Sequence, residues 1–171
     1  MLEILKNRRS IRKFTQEKIS KEDLSKILKA GLFAPSSKGK NPVEMIVVED
    51  KKTILQLETC KEHGTLPLKT APLVIAIIAD SQLSDVWVED ASIVSILIQL
   101  EVEKLGLGST WIQMRKRESI EKDSEEAVRE VLNIPQKYGV LSLVAIGHKD
   151  EEKNPYDDSH LNFDKVHYDK F

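Results

Sequence analysis

The spacing of apolar residues changes several times along this chain, and each change marks an element. Residues 2 to 7 (LEILKN) read as a short helix. From Ser20, with Asp23 three positions on in a capping-box-like arrangement, Leu24, Ile27, Leu28 and Leu32 recur at helical spacing and predict a second helix. That helix must stop near APSSKGKNP (34–42), because Pro35, Gly39 and Pro42 cannot continue it. Met45 to Val48 predicts a strand, followed by a charged turn and a helix over about 53–62. Residues 73–79 (LVIAIIA) are apolar on both alternations, which predicts a central strand covered on both faces.

The longest helical stretch, Trp87 to Leu105, is apolar almost all the way round: Val88, Ala91, Ile93, Val94, Ile96, Leu97, Ile98, Leu100 and Val102. A helix with so little polar face belongs in a core or an interface, and in a short chain a partner subunit can supply the extra cover. Gly106 and Gly108 end it, with one of them expected as a left-handed cap. STWIQ continues as a strand, 124–132 reads as a short amphipathic helix, and 139–147 (GVLSLVAIG) as a last strand. Mixed strands and helices make the domain α/β or α+β. After Gly147 the periodicity is lost, and 148–171 reads as an extended tail whose Phe163, Tyr168 and Phe171 favour docking on a partner.

A length of 171 residues fits one domain, taken here as 1–171. With 26 Lys and Arg against 28 Asp and Glu, the net charge of −2 provides no global field for nucleic acid or anionic membrane. The longest apolar run is far short of the roughly 20 residues of a membrane span. A lone Cys60 excludes an internal disulfide, and no signal-peptide pattern is seen, so the expectation is a cytoplasmic protein. His63, His148, His160 and His167 lack metal-ligand spacing, and neither a GxSxG elbow nor a GxxxxGK[ST] loop is present. No metal and no side-chain catalyst is expected; any chemistry belongs to a bound cofactor.

Against the acidic balance, KNRRSIRKF (6–14) places five cations in nine positions. In an extended loop Arg8, Ser10 and Arg12 point the same way, a hydroxyl between two guanidiniums, which suits a phosphate group. A solvated charged face is the plainer alternative. APSSKGKNP offers two hydroxyls, the Asn41 amide and a flexible backbone, all able to bond a polyhydroxy chain or heterocycle edge, although a helix stop alone explains Pro35, Gly39 and Pro42. GLGSTWIQ (106–113) fails as a dinucleotide fingerprint, because Trp111 stands at the third glycine and the glycines close a helix. Its strand could lay backbone amides against a flat ligand.

Together these stretches resemble the nitroreductase family of FMN-dependent NAD(P)H oxidoreductases. RRSIRKF (8–14) is similar to its opening R-x-S-x-R/K motif, and APSSKGKNP to its A-P-S-S-x-N-x-Q-P loop. DASI (90–93) with GLGSTWIQ resembles the stretch that ends beside the flavin, and VHYDKF the family's V-H-[WY]-x-[KR]-[WFY] ending. The resemblance implies an α+β, three-layer fold with a central mixed, mainly antiparallel sheet flanked by helices. It also implies a homodimer with FMN at the subunit interface and the tail docked on the partner. The implied phosphate contacts are Arg8 and Ser10, with Arg9 in the motif but turned away by alternation. Arg12 falls near the ribityl chain and pyrimidine ring. Pro35, Ser36, Ser37 and Asn41 would reach the flavin held mainly by the other subunit, and Ile112 and Gln113 carry the amide facing N5. The implied reaction passes hydride from NAD(P)H through the flavin to a nitroaromatic or quinone, in ping-pong fashion. The alternatives are a flavin-storing protein on the same fold, and an RNA- or phosphopeptide-binding module.

Three departures from the family pattern stand out. Gly39 replaces the loop's asparagine, and Asn41 its glutamine. The tail reads YDDSH (156–160) where a cation often completes the phosphate site, leaving Lys153 as a substitute. The chain also lacks the insertions that roof the pocket in larger members.

Overall fold

The computed structural model describes residues 1–171. Four strands, β1 (Val43–Val48), β2 (Leu73–Asp80), β3 (Gly108–Gln113) and β4 (Tyr138–Gly147), form one sheet in the order β1-β2-β4-β3. All three pairings are antiparallel. The mixed character that the resemblance implies is reduced to one isolated parallel bridge between Ser10 and Ser109, which ties the N-terminal segment to the Gly108 end of β3.

The double apolar alternation of β2 has the expected consequence. Leu73, Ile75 and Ile77 face α2 (Lys21–Leu32) and α4 (Trp87–Lys104), meeting Ile27, Ala91, Val94, Ile98 and Val102. Val74, Ala76 and Ile78 face α3 (Lys51–Glu58) and α5 (Ser124–Leu132), meeting Ile54, Leu57 and Val128. A three-layer α+β fold results, with α1 (Leu2–Asn7) packed against α4. Each fully buried Ile or Leu contributes roughly 1.5–3 kcal/mol relative to exposure.

Local chemistry sets the element ends. The Ser20 hydroxyl accepts the Asp23 N–H at 3.0 Å and starts α2. Asp50 accepts the Thr53 N–H at 2.8 Å, so α3 begins earlier than the apolar pattern predicts and ends at Glu58 rather than near 62. At the end of α4, Gly106 takes φ +77° while its N–H reaches Glu103 and that of Leu107 reaches Val102. These two bonds satisfy carbonyls the helix leaves open. Gly108 serves a different need, since a Cβ there would stand 2.9 Å from Ile11.

Two features of α4 matter for function. Its 18 residues extend about 27 Å, carrying the chain from the Asp80 end of β2 to the Gly108 end of β3. Its outer face presents Ile93 and Ile96 at 37% and 38% exposure, beside half-buried Leu97 and Leu100. The tail shows the same pattern. Residues 152–171 are exposed throughout, including Leu161, Phe163, Val166, Tyr168 and Phe171.

Candidate flavin-binding site

The cationic segment is extended, the conformation in which Arg8, Ser10 and Arg12 would share a side, and is tied to the sheet by the Ile11 N–H donating to the Ser109 carbonyl at 3.0 Å. Ile11 and Phe14 are buried below, anchoring the residues between them. Arg8 is half-buried at the end of α1, where its N–H donates to the Ile4 carbonyl at 2.8 Å and its guanidinium is paired with no carboxylate. Arg12 is exposed; its Nη1 donates to the Ser10 carbonyl at 3.4 Å and its N–H to the Glu151 carboxylate. That backbone bond, above all, holds the Glu151 carboxyl below its ordinary range.

Arg9 is turned away from Arg8 and Ser10. Its guanidinium bonds the Asn154 carbonyl and lies 4.3 Å over the Tyr156 ring, so it braces the start of the tail. Lys153, the candidate substitute for the missing tail cation, pairs with Glu151 at 3.3 Å and shares a cleft with Arg9. Lys6 is not a merely solvated neighbour of the cluster: Asp158 reaches it at 2.9 Å, and this hydrogen bond raises its pKa. The acids of YDDSH thus serve α1 and their own turn, where Asp157 accepts the Ser159 N–H at 2.9 Å.

The 35–41 loop is shaped from within and from below. The Ser36 hydroxyl accepts the Asn41 N–H at 2.8 Å and donates to the Asn41 side-chain oxygen at 3.0 Å. The Asn41 amide also donates to the Gly39 carbonyl at 3.2 Å. Lys38, Gly39 and Asn41 all take positive φ, so the loop is a tight turn with its glycine at one of three such positions. Beneath it, Asp90 in the first turn of α4 accepts the Ser37 N–H at 2.8 Å and the Ser84 hydroxyl at 3.2 Å. Sequence reasoning quoted Asp90 only inside DASI. An acid at the start of an otherwise apolar helical stretch was the available signal, and in the fold it is buried at 3% exposure.

At the far end of β3, Ile112 is buried and Gln113 half-buried. The Gln113 side-chain oxygen accepts from the Trp111 indole at 2.9 Å, and its amide donates to the Arg115 carbonyl at 3.0 Å. Both side-chain groups of Gln113 are therefore held in place. Cys60 takes no part: burial pushes its thiol up to about 11, leaving it inert.

These groups do not meet within one chain. Arg8 and Ser10 flank the Gly108 end of β3, whereas Ser36, Ser37 and Asn41 stand over the first turn of α4. Asp90 precedes the Lys104 end of α4 by 14 residues, about 21 Å of helix, so those two places lie towards opposite ends of it.

Comparison with known proteins converges on one family. The model described as the nitroreductase family matches residues 5–63 and 61–148. A protein of Archaeoglobus fulgidus with the provisional name NADH dehydrogenase/NAD(P)H nitroreductase is 37% identical, the match covering 99% of this chain and 98% of the relative. The solved FMN-dependent nitroreductase of Clostridium difficile R20291 superposes with a TM-score of 0.98 at 49% identity, over 100% of both chains. The NADPH:FMN oxidoreductase of Vibrio harveyi, solved with NAD+, gives 0.84 at 25% identity, over 99% of this chain and 77% of its own.

Proposed function

The chain belongs to the nitroreductase family, and on that premise we propose that it is a homodimeric FMN-dependent oxidoreductase, drawing hydride from NAD(P)H and passing it to a quinone or nitroaromatic. The observation that carries this reading is the separation along α4. Residues suited to one FMN lie at opposite ends of a helix longer than the cofactor, and the outer face of that helix is apolar and uncovered. Pairing two copies along α4 brings one chain's Arg8, Ser10 and Arg12 to the other's 35–41 loop and covers Ile93, Ile96, Leu97 and Leu100. The exposed apolar tail residues gain a surface to cover in the same step.

The residues present fit FMN. Arg8 offers an unpaired guanidinium and Ser10 a hydroxyl on the same side of an extended segment, the donors a phosphate monoester requires. Arg12 extends the positive field towards the pyrimidine edge, while Arg9 acts at one remove by fixing the tail. The β3 backbone at Ile112 and Gln113 provides an amide edge for the ring, and Pro35, Ser36, Ser37 and Asn41 close it from the partner. When bound, FMN supplies the hydride chemistry at N5. The protein's part is to hold and orient, and to favour added negative charge with a backbone N–H and nearby arginine.

One observation favours a weaker variant of this reading, a flavin-storing protein. Ser36 and Asn41 spend their side-chain bonds on each other, leaving fewer for the ribityl chain. Titration with FMN followed by steady-state NAD(P)H oxidation with a quinone separates the two. The enzyme reading expects saturable turnover with parallel double-reciprocal lines; bound flavin with negligible turnover would establish storage instead. Failure to bind FMN at all would reject both.

A further inference from the structure

Just past β3 the chain turns sharply. Lys116 takes φ +56°, and the Arg117 N–H closes on the Met114 carbonyl at 3.1 Å. The 61–64 segment lies against this turn, joined by the Glu62 N–H donating to the Glu118 carbonyl at 3.1 Å. Between them opens a cleft of about 500 Å³ with no apolar side chain in its lining. Three of its side chains are cations, Lys61, Lys116 and Arg117, and none forms an ion pair; the Arg117 guanidinium reaches only the Lys116 carbonyl, at 2.8 Å. Burial, and then the nearby Arg117 charge, lower the Lys61 pKa. Glu62 and Glu118 also border the cleft, with Glu62 3.4 Å from His63. Three cations less two carboxylates leave one net positive charge among these side chains.

We propose that this cleft receives the 2′-phosphate of NADPH, making NADPH the preferred reductant. The proposal rests on the functional reading above and adds to it a choice between the two dinucleotides. Lys116 and Arg117 are exposed and Lys61 is half-buried, none of them paired with a carboxylate, so all three are free to bond a phosphate monoester, which approaches a dianion at neutral pH. The small net charge and two bordering carboxylates suit one phosphate group rather than a polyanion such as RNA. Position agrees: Arg117 is four positions beyond Gln113, so at most about 14 Å of chain lies between the ring-facing end of β3 and the cleft. A dinucleotide whose nicotinamide lies on the flavin extends beyond that distance.

The test compares kcat/KM for NADPH and NADH in the FMN-loaded wild type and in Lys61→Ala and Arg117→Ala, with a quinone acceptor. Wild type should favour NADPH, and each variant should lower the NADPH/NADH ratio about tenfold, as expected for loss of one charge-assisted hydrogen bond. A second measurement needs no turnover. Adenosine 2′,5′-bisphosphate should bind the wild type more tightly than 5′-AMP, with a preference that shrinks in both variants and at higher salt. An unchanged ratio in the variants, or equal binding of the two nucleotides, overturns the assignment. If the protein fails to bind FMN, the functional reading falls, and the nucleotide binding alone decides the fate of the cleft.

Discussion

At the scale of single residues, the site depends on which charges already have partners. Arg8 has none, whereas Arg9 is committed to Asn154 and Tyr156, and Lys153 to Glu151. Replacing Arg8 should therefore cost cofactor binding and little else. Arg8→Ala is expected to weaken FMN binding about tenfold to a hundredfold, the worth of a hydrogen bond to a charged group, with the melting temperature of the flavin-free protein nearly unchanged. Fluorescence titration and thermal unfolding check the two halves; unaltered FMN affinity would remove Arg8 from the site. Cys60 is the opposite case. With its thiol pushed up to about 11 by burial, about one molecule in a thousand carries the thiolate at pH 8. Iodoacetamide should leave the native protein unlabelled at that pH and label it readily in denaturant, as read by mass spectrometry.

At the scale of elements, the decisive contacts join segments distant in sequence, and they explain what the sequence did and did not disclose. The helix and strand order was legible because each element satisfies its own pattern: β2 is apolar on both faces, α4 nearly all round, and Ser20 and Gly106 mark ends. The Asp90–Ser37 bond, the Lys6–Asp158 pair and the Lys61–Arg117 cleft were not, since each joins positions that only the folded chain brings together. Gly108 is a case in between. Its sequence context suggested a helix cap, yet its need for a missing Cβ comes from Ile11, nearly a hundred residues earlier in the chain. Gly108→Ala should push the cationic segment off β3, destabilise the fold by about 1–3 kcal/mol and weaken FMN binding together with it. A variant of normal stability and normal FMN affinity would show that the segment does not depend on this contact. The outer face of α4 makes a separate prediction, that Ile96→Asp yields a monomer on sedimentation without loss of helical content, because the position is exposed in the single chain and would bury the charge only in the pair.

At the scale of the whole molecule, the question is whether one chain or two completes a site. A two-fold pair uses each surface twice, so it contains two equivalent sites, each built from one chain's cationic segment and the other's loop. This arrangement can be tested by mixing lesions. Consider a chain carrying Arg8→Ala and a second carrying Asp90→Ala, which frees the Ser37 N–H and loosens the 35–41 loop. Homodimers of either chain have two damaged sites and should bind FMN weakly. A heterodimer concentrates both lesions in one site and leaves the other with an intact Arg8 opposite an intact loop. Co-expressed with different affinity tags and purified through both, it should bind one FMN per dimer with wild-type affinity and recover about half of the wild-type turnover. If each site lay within a single chain, every site in the heterodimer would keep one lesion and no tight binding would return. Restored binding of one equivalent therefore requires shared sites, and with them the pairing along α4 that the uncovered isoleucines and leucines call for.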